Sequence, residues 1–222
     1  MIPRVLLVLC VAAAAVPAPA ADFPDVPVPK GARGERVSDH MRYNGLDMRA
    51  SRYAIDQPVD KVRAFYLRQW KDKVADTALD GGGSVLGYMD RGRHYVTVAL
   101  RPAGRGTEAT IGVMRLPLED VAPDAVGKGF ARLPRTEVAE DIVYLDTPRQ
   151  VRTLSMGNAH SPFQNERFYT RTLGAQGYAR EPGDACQASS QVCQVRYTRD
   201  RERITVTAMR QEQGTAIVAV IE

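Results

Sequence analysis

A strand pair, an amphipathic helix and a further group of strands follow one another twice along this chain. That repeated order constrains the fold more than any other feature. In the first run Met41-Arg42-Tyr43, Asn44-Gly45 and Leu46 to Ile55 read as a hairpin, because Asn-Gly supplies the two positive-φ residues of a type I′ turn. A helix is expected next. Pro58 suits its first turn and Asp60 sits near the positive end of its dipole. Val59, Val62, Tyr66, Trp70 and Lys73-Val74 recur at three- and four-residue steps, with Phe65 widening the stripe. Gly81-Gly82-Gly83 ends this region. Val85 to Met89 and Arg93 to Leu100 then read as strands about a turn at Asp90-Arg91-Gly92, and Pro102 to Gly106 turns the chain into Thr107 to Met114.

The second run repeats the order. Ile142 to Leu145 and Val151 to Met156 flank a turn at Asp146-Thr147-Pro148. Ser161 caps a helix, Pro162 opens it and Gln164 is the reciprocal capping partner. Phe163, Phe168-Tyr169 and Leu173 mark its apolar side, and strands follow around a cysteine loop and around Glu212-Gln213-Gly214. Three local matches run in the same order: Phe65 to Trp70 with Phe168 to Leu173, Ala99-Leu100-Arg101 with Ala208-Met209-Arg210, and Gly106-Thr107 with Gly214-Thr215. Together they point to an internal duplication.

Strands grouped around a single helix in each run give the expected class: α+β, with two tandem duplicated units, each an antiparallel sheet packed on one main helix. The first unit spans 37–116 and the second 135–222. A linker over 117–134, with Pro117, Pro123, Gly127 and Gly129, joins them. Residues 21–36 form an extended, weakly structured lead-in carrying Pro24, Pro27, Pro29, Gly31 and Gly34. Units of this size have thin cores, so they dock on each other or share one sheet.

Before the lead-in comes an export signal over residues 1–20. Arg4 precedes an apolar run from Val5 to Val16, and Pro17-Ala18-Pro19-Ala20-Ala21 supplies a small-residue cleavage site. Ala18 and Ala20 fit a cut after Ala20, and a cut after Ala21 fits nearly as well. The apolar run is shorter than the roughly 20 residues of a bilayer-spanning helix. Cys10 follows Leu9 inside that run and is read as an ordinary leader residue. Loss of Arg4 leaves 29 basic against 26 acidic residues, an excess too small to indicate nucleic acid. A hydrophobic content of 44% with 25% charged residues fits a globular body rather than a disordered one.

The two cysteines that remain, Cys186 and Cys193, form a close pair in an oxidising compartment and read as a disulfide. Such a short loop contributes roughly 2–3 kcal/mol. The segment between them holds no His, Asp or Glu, so a metal site is not expected there.

Chemistry-bearing residues do not converge. His40 lies beside Asp39, His94 beside Tyr95, and His160 beside the cap Ser161; no Gly-x-Ser-x-Gly elbow is present. Glu119-Asp120 and Glu140-Asp141 are adjacent acids, which point to opposite faces of a strand and are read as solvated. Gly81 to Ser84 runs from helix to strand, the reverse of a phosphate-cradling loop. Arg196, Arg199, Arg201 and Arg203 cluster with Tyr197 on an expected hairpin, where they meet an anionic partner or guard a sheet edge. Asp200 and Glu202 interleave with them and favour the edge-guarding role.

No catalytic residue, metal or cofactor is assigned. The first-ranked expectation is a non-enzymatic periplasmic or secreted binding, adaptor or accessory protein of the bacterial cell envelope. Its partner would be another envelope protein or an anionic envelope component, met at a sheet edge or in the groove between units, with no nucleic acid and no transmembrane anchor in the mature chain. The second is a periplasmic or secreted hydrolase with its site between the units, drawing on His40, His94 or His160. The third is an anionic-surface binder using the Arg196–Arg203 hairpin. The exported chain is expected to begin at Ala21 or Asp22 by intact mass. A mature chain that retains residues 1–20 would contradict the leader.

Overall fold

The computed structural model describes residues 23–117 and 126–222. The expected leader and residues 118–125 of the expected linker, with Glu119-Asp120, lie outside the described residues. In chain order the elements are β1 (Arg33–Tyr43), β2 (Leu46–Ile55), α1 (Val59–Trp70), a 3-10 turn (Lys71–Lys73), β3 (Val74–Leu79), β4 (Gly83–Asp90), β5 (His94–Ala103), β6 (Gly106–Arg115), β7 (Glu137–Tyr144), β8 (Val151–Asn158), α2 (Pro162–Ala175), β9 (Ala179–Arg180), β10 (Val192–Arg199), β11 (Glu202–Gln211) and β12 (Gly214–Ile221).

These strands form one antiparallel sheet in the order β3-β4-β5-β6-β2-β1-β7-β8-β12-β11-β10-β9. This overturns the α+β expectation of two sheets, each packed on its own main helix. The protein is sheet-dominated, with two helices laid on a single twelve-stranded sheet. The physical reason is the edge. A separate first sheet would end at β1 and a separate second one at β7, each with a row of unpaired N–H and C=O groups. Pairing β1 with β7 satisfies both rows and merges the sheets.

Both helices cover the same face. Opposed residues point to one side of a sheet, as do residues two apart. Val113 faces Arg49, Asp47 faces Arg42, Arg42 faces Val143, and Val143 faces Arg152, two residues from Leu154. Val113 belongs to the α1 core and Leu154 to the α2 core. The first core sets Val62, Tyr66 and Trp70 on Leu86, Val96, Val98, Leu100, Ala109, Ile111 and Val113. The second sets Tyr169 and Leu173 on Leu154, Val195, Tyr197, Ile204, Val206, Ala208, Ile217 and Ala219. Each fully buried Val, Leu or Ile contributes roughly 1.5–3 kcal/mol relative to exposure.

Local signals are realised with some displacement. Asn44 (φ 48°) and Gly45 (φ 85°) make the expected turn. Ser161 and Gln164 form the expected reciprocal cap, at 3.1 and 2.8 Å. Residue Pro58 stands one position before α1 as its cap. The helix was expected to run to Lys73-Val74 but stops at Trp70, because Lys71 takes φ 53° and turns the chain out. Val74 to Leu79 then forms β3, a strand the low β-propensity of its Ala and Asp residues concealed. The lead-in has no helix or strand over residues 23–32, yet it packs on the first core. Phe23 is 7% exposed, Val26, Val28 and Ala32 pack on the first core, and β1 already starts at Arg33. The guanidinium groups of Arg49 and Arg115 sit 5.8 and 5.6 Å from the Phe23 ring centre.

The Gly-Thr dipeptides occupy equivalent places. Thr107 donates to the Gln57 carbonyl at 2.7 Å, and Thr215 to the His160 carbonyl at 2.6 Å. A Cβ on Gly106 would fall 2.4 Å from the Ile55 carbonyl oxygen, and one on Gly214 2.3 Å from that of Asn158. The alanine match is one residue out of step: β5 and β11 share one burial pattern when buried Leu100, not Ala99, is set against buried Ala208. At the strand end and in the helix, buried Ile55 and Val62 are replaced by Asn158 and Asn165, whose amides bond each other at 2.8 and 3.1 Å. Asn165→Val alone is expected to cost about 2 kcal/mol, because it strands the Asn158 amide. The double variant Asn158→Ile/Asn165→Val should recover most of that in urea unfolding.

Candidate functional site

The place where the halves meet is short. Among the described residues only Met41, Arg42 and Tyr43 pair with Tyr144, Val143 and Ile142. Side chains reinforce this ladder. Asn44 donates from its backbone N–H to the Asp141 carbonyl at 2.8 Å and from Nδ2 to the Ala139 carbonyl at 3.2 Å. Its Oδ1 accepts from the Asp141 N–H at 2.7 Å. At the other end the Asp146 carboxylate accepts from Ser38 Oγ at 3.0 Å and from the Asp39 N–H at 2.6 Å, while the Leu145 N–H donates to the His40 carbonyl at 3.0 Å. Burial would raise the Asp146 carboxyl, but those donors hold it below the usual carboxylate range.

The adjacent acids Glu140 and Asp141 do point to opposite faces, yet neither is a free solvated charge. On the helix-free face Glu140 accepts from Tyr43 and from Ser155, each at 3.1 Å. On the helix face Asp141 is 8% exposed. Arg152 grips it in a fork, Nε to Oδ1 at 2.8 Å and Nη2 to Oδ2 at 2.7 Å, and the Gly127 N–H adds a bond at 2.8 Å. Burial pushes this carboxyl up, but Arg152 and Gly127 outweigh it and hold it low. Sequence reasoning missed the pair because its members come from different strands.

Beside this ion pair lies a cleft of about 540 Å³ built by both halves: Arg42 and Gly45 from the first, Asp141, Val143, Gln150, Arg152 and Ile221 from the second. Arg42 is exposed and makes no ion pair or side-chain hydrogen bond among the described residues. Its cross-strand neighbour Asp47 lies instead 3.2 Å from His40 Nε2. The cleft therefore presents one guanidinium that is already satisfied and one that is not, an arrangement suited to holding an anion. A larger hollow of about 690 Å³ opens at the ends of β1, β2 and β6, but it belongs to the first half alone and contains the Arg33–Asp56 pair at 2.9 Å and the Arg52–Glu35 pair at 3.9 Å.

The residues singled out from sequence fall elsewhere. Cys186 and Cys193 lie at disulfide-bonding distance, with Cα atoms 5.5 Å apart, and tether the loop before β10. Arg196 pairs with Glu181 at 3.2 Å, Arg199 with Glu202 at 2.5 Å and Arg203 with Glu222 at 3.9 Å. Arg199 also covers the Tyr178 ring at 4.4 Å. Arg201 makes no ion pair among the described residues. His40 and His94 flank Phe23, at 6.5 and 6.2 Å between ring centres. His40 reaches the acid Asp47, and neither of these rings bonds a serine hydroxyl among the described residues. His160 sits in the loop that caps α2, where its backbone serves Asn158 and Thr215. No described helix is long and apolar enough to cross a membrane, and no group of three or more His, Cys, Asp or Glu that could hold a metal occurs among the described residues.

The chain matches no family model, and none of the curated proteins or solved structures compared with it is similar enough to count as a match.

Asp141 carries a testable consequence. Its carboxyl is depressed in the folded protein, so its stabilisation is present above the unfolded carboxylate range and is lost as pH falls through the folded value. Asp141→Ala is expected to lower stability at pH 7 by about 3 kcal/mol, since it leaves Arg152 unpaired. The difference from the parent protein should shrink as pH is lowered, measured by urea unfolding at several pH values.

Proposed function

We propose that this is an exported, non-enzymatic binding protein of the cell envelope that holds an anionic group of its partner in the cleft where β1 meets β7. The observation that carries the reading is Arg42: an exposed guanidinium without an acidic partner among the described residues, at the mouth of a cleft both halves supply. Arg152 stands in the same cleft, already positioned by Asp141 and the Lys128 carbonyl. A carboxylate or phosphate seated there gains a charge-assisted bond from Arg42 without breaking an existing pair. The leader-like first 20 residues and the Cys186–Cys193 pair support an oxidising compartment outside the cytoplasm, periplasmic or secreted. The mirrored strand order on either side of β1–β7, with Gly-Thr and Phe-Tyr in corresponding places, supports a duplicated unit whose copies differ in the site that each contributes.

The Arg196–Arg203 hairpin is a weaker candidate, because three of its four arginines already have glutamate partners. The hydrolase reading gains no support from His40, which has an acid but no serine.

Titration of the mature protein with a glutamate-rich octapeptide at low ionic strength tests the reading. Amide shifts are expected at Arg42, Gly45, Val143 and Gln150. Arg42→Glu should weaken binding about tenfold or more, in line with the few kcal/mol of a charge-assisted contact, and added salt should weaken it further. Shifts confined to the Arg201 turn, or binding indifferent to Arg42→Glu, would overturn it.

A further inference from the structure

One row of side chains sets part of the helix-free face of the sheet apart. Arg42 and Asp47 point to the helix side, so their neighbours Met41 and Met48 point the other way. Met41 stands opposite Met48, Met48 opposite Met114, and Met114 opposite Tyr95. On its other side Met41 stands opposite Tyr144. Three methionines on the adjacent strands β6, β2 and β1 are thus set side by side between two tyrosines. The chain has only seven methionines among 222 residues, and three of them meet here. Elsewhere this face carries Thr97, Thr110, Thr153, Val218 and Val220, the types that strands favour. Methionine is not among those types. What it contributes is a polarizable thioether sulfur on a side chain with three rotatable bonds.

We propose that Met41, Met48 and Met114 form a binding site for copper(I), held by their three thioether sulfurs. Opposed residues on adjacent strands have Cβ atoms about 4.5–5.5 Å apart. Flexible methionine side chains at that spacing can turn their sulfurs to one point above β2, the middle strand. Met48 already reaches across to β6. A Cβ on Gly112, the same-face neighbour of Met114, would fall 2.4 Å from Met48 Cε. Met41 is 5% exposed, and Met48 and Met114 are half-buried, so the row is largely shielded from water. The same-face neighbours along these strands, Tyr43, Leu46, Ala50 and Gly112, carry no charge. Calcium and magnesium require oxygen ligands, and zinc takes thiolate, imidazole or carboxylate. A set of neutral, soft thioethers selects copper(I), whose single charge also asks for no anionic ligand. Met89 lies beyond Tyr95 and takes no part.

The test uses the protein without residues 1–20, in which Cys186 and Cys193 are joined and no free thiol competes. Silver(I) is the probe, because it shares the charge and softness of copper(I) without its redox chemistry. In methionine-methyl NMR, stoichiometric silver is expected to shift Met41, Met48 and Met114. Met156, buried in the second core, and the exposed Met209 should stay in place. Copper(I) kept reduced by ascorbate should displace the silver, and excess magnesium should not. Met48→Leu conserves volume, so Trp70 fluorescence should be unchanged while silver affinity falls roughly tenfold or more, as it does when a metal site loses a partner. Thioethers bind no proton, so affinity should stay level between about pH 5 and pH 7, where a histidine site weakens. Silver shifts that reach Met209 equally, affinity indifferent to Met48→Leu, or failure of copper(I) to compete would overturn the proposal. The cleft at Arg42 opens on the helix face, so none of these outcomes bears on it.

Discussion

The β1–β7 ladder is the joint on which the structure depends. Three residue pairs join two halves whose internal ladders run to as many as ten. So short a ladder contributes little by itself, and side chains make up the difference. Asn44 makes three bonds across it, two through its side chain and one through its backbone. It does so while holding a positive φ in the turn between β1 and β2. The geometry that closes the hairpin thus aims the amide at Ala139 and Asp141. Asp146 ties the opposite end to Ser38 and Asp39.

The features we connect with function follow from that joint. Merging two sheets leaves two outer edges, β3 and β9, instead of four. It also sets Arg42 of one half beside Asp141 and Arg152 of the other, so the cleft exists only in the joined molecule. The halves also differ where joining does not constrain them. Trp70 stacks on Tyr88 at 4.9 Å in the first core, whereas the corresponding Leu173 has no ring to offer and Tyr197 bonds Thr170 at 2.9 Å instead. Ile55 and Val62 give way to an amide pair in the second.

What was legible in the sequence was local. Asn44-Gly45, the Ser161–Gln164 cap, the apolar stripe of α1 and the strand read over Arg93 to Leu100 each follow from chemistry within a few residues, and each is found. The fold class was misread because pairing of β1 with β7 spans about a hundred residues and leaves no periodic mark in either strand. Edge strand β3 was hidden for a related reason: Val74 continues the apolar stripe of α1, and only the left-handed φ of Lys71 separates the two. Asp141 looked like one of two solvated acids, because its partner Arg152 lies on the neighbouring strand. Phe23 was lost among prolines that suggest a loose segment, although Arg49 donates to the Pro24 carbonyl at 2.6 Å and covers the Phe23 ring.

Trp70 is the chain's single tryptophan and reports on the first core alone. Following urea unfolding by its fluorescence and, in parallel, by amide exchange in β8 and β12 tests the joint directly. The two probes are expected to coincide in the parent protein and to separate in Asn44→Gly, which keeps the turn but removes the side-chain bonds to Ala139 and Asp141. Two separate transitions in the parent protein would contradict the account, because the halves would then stand without the ladder that joins them.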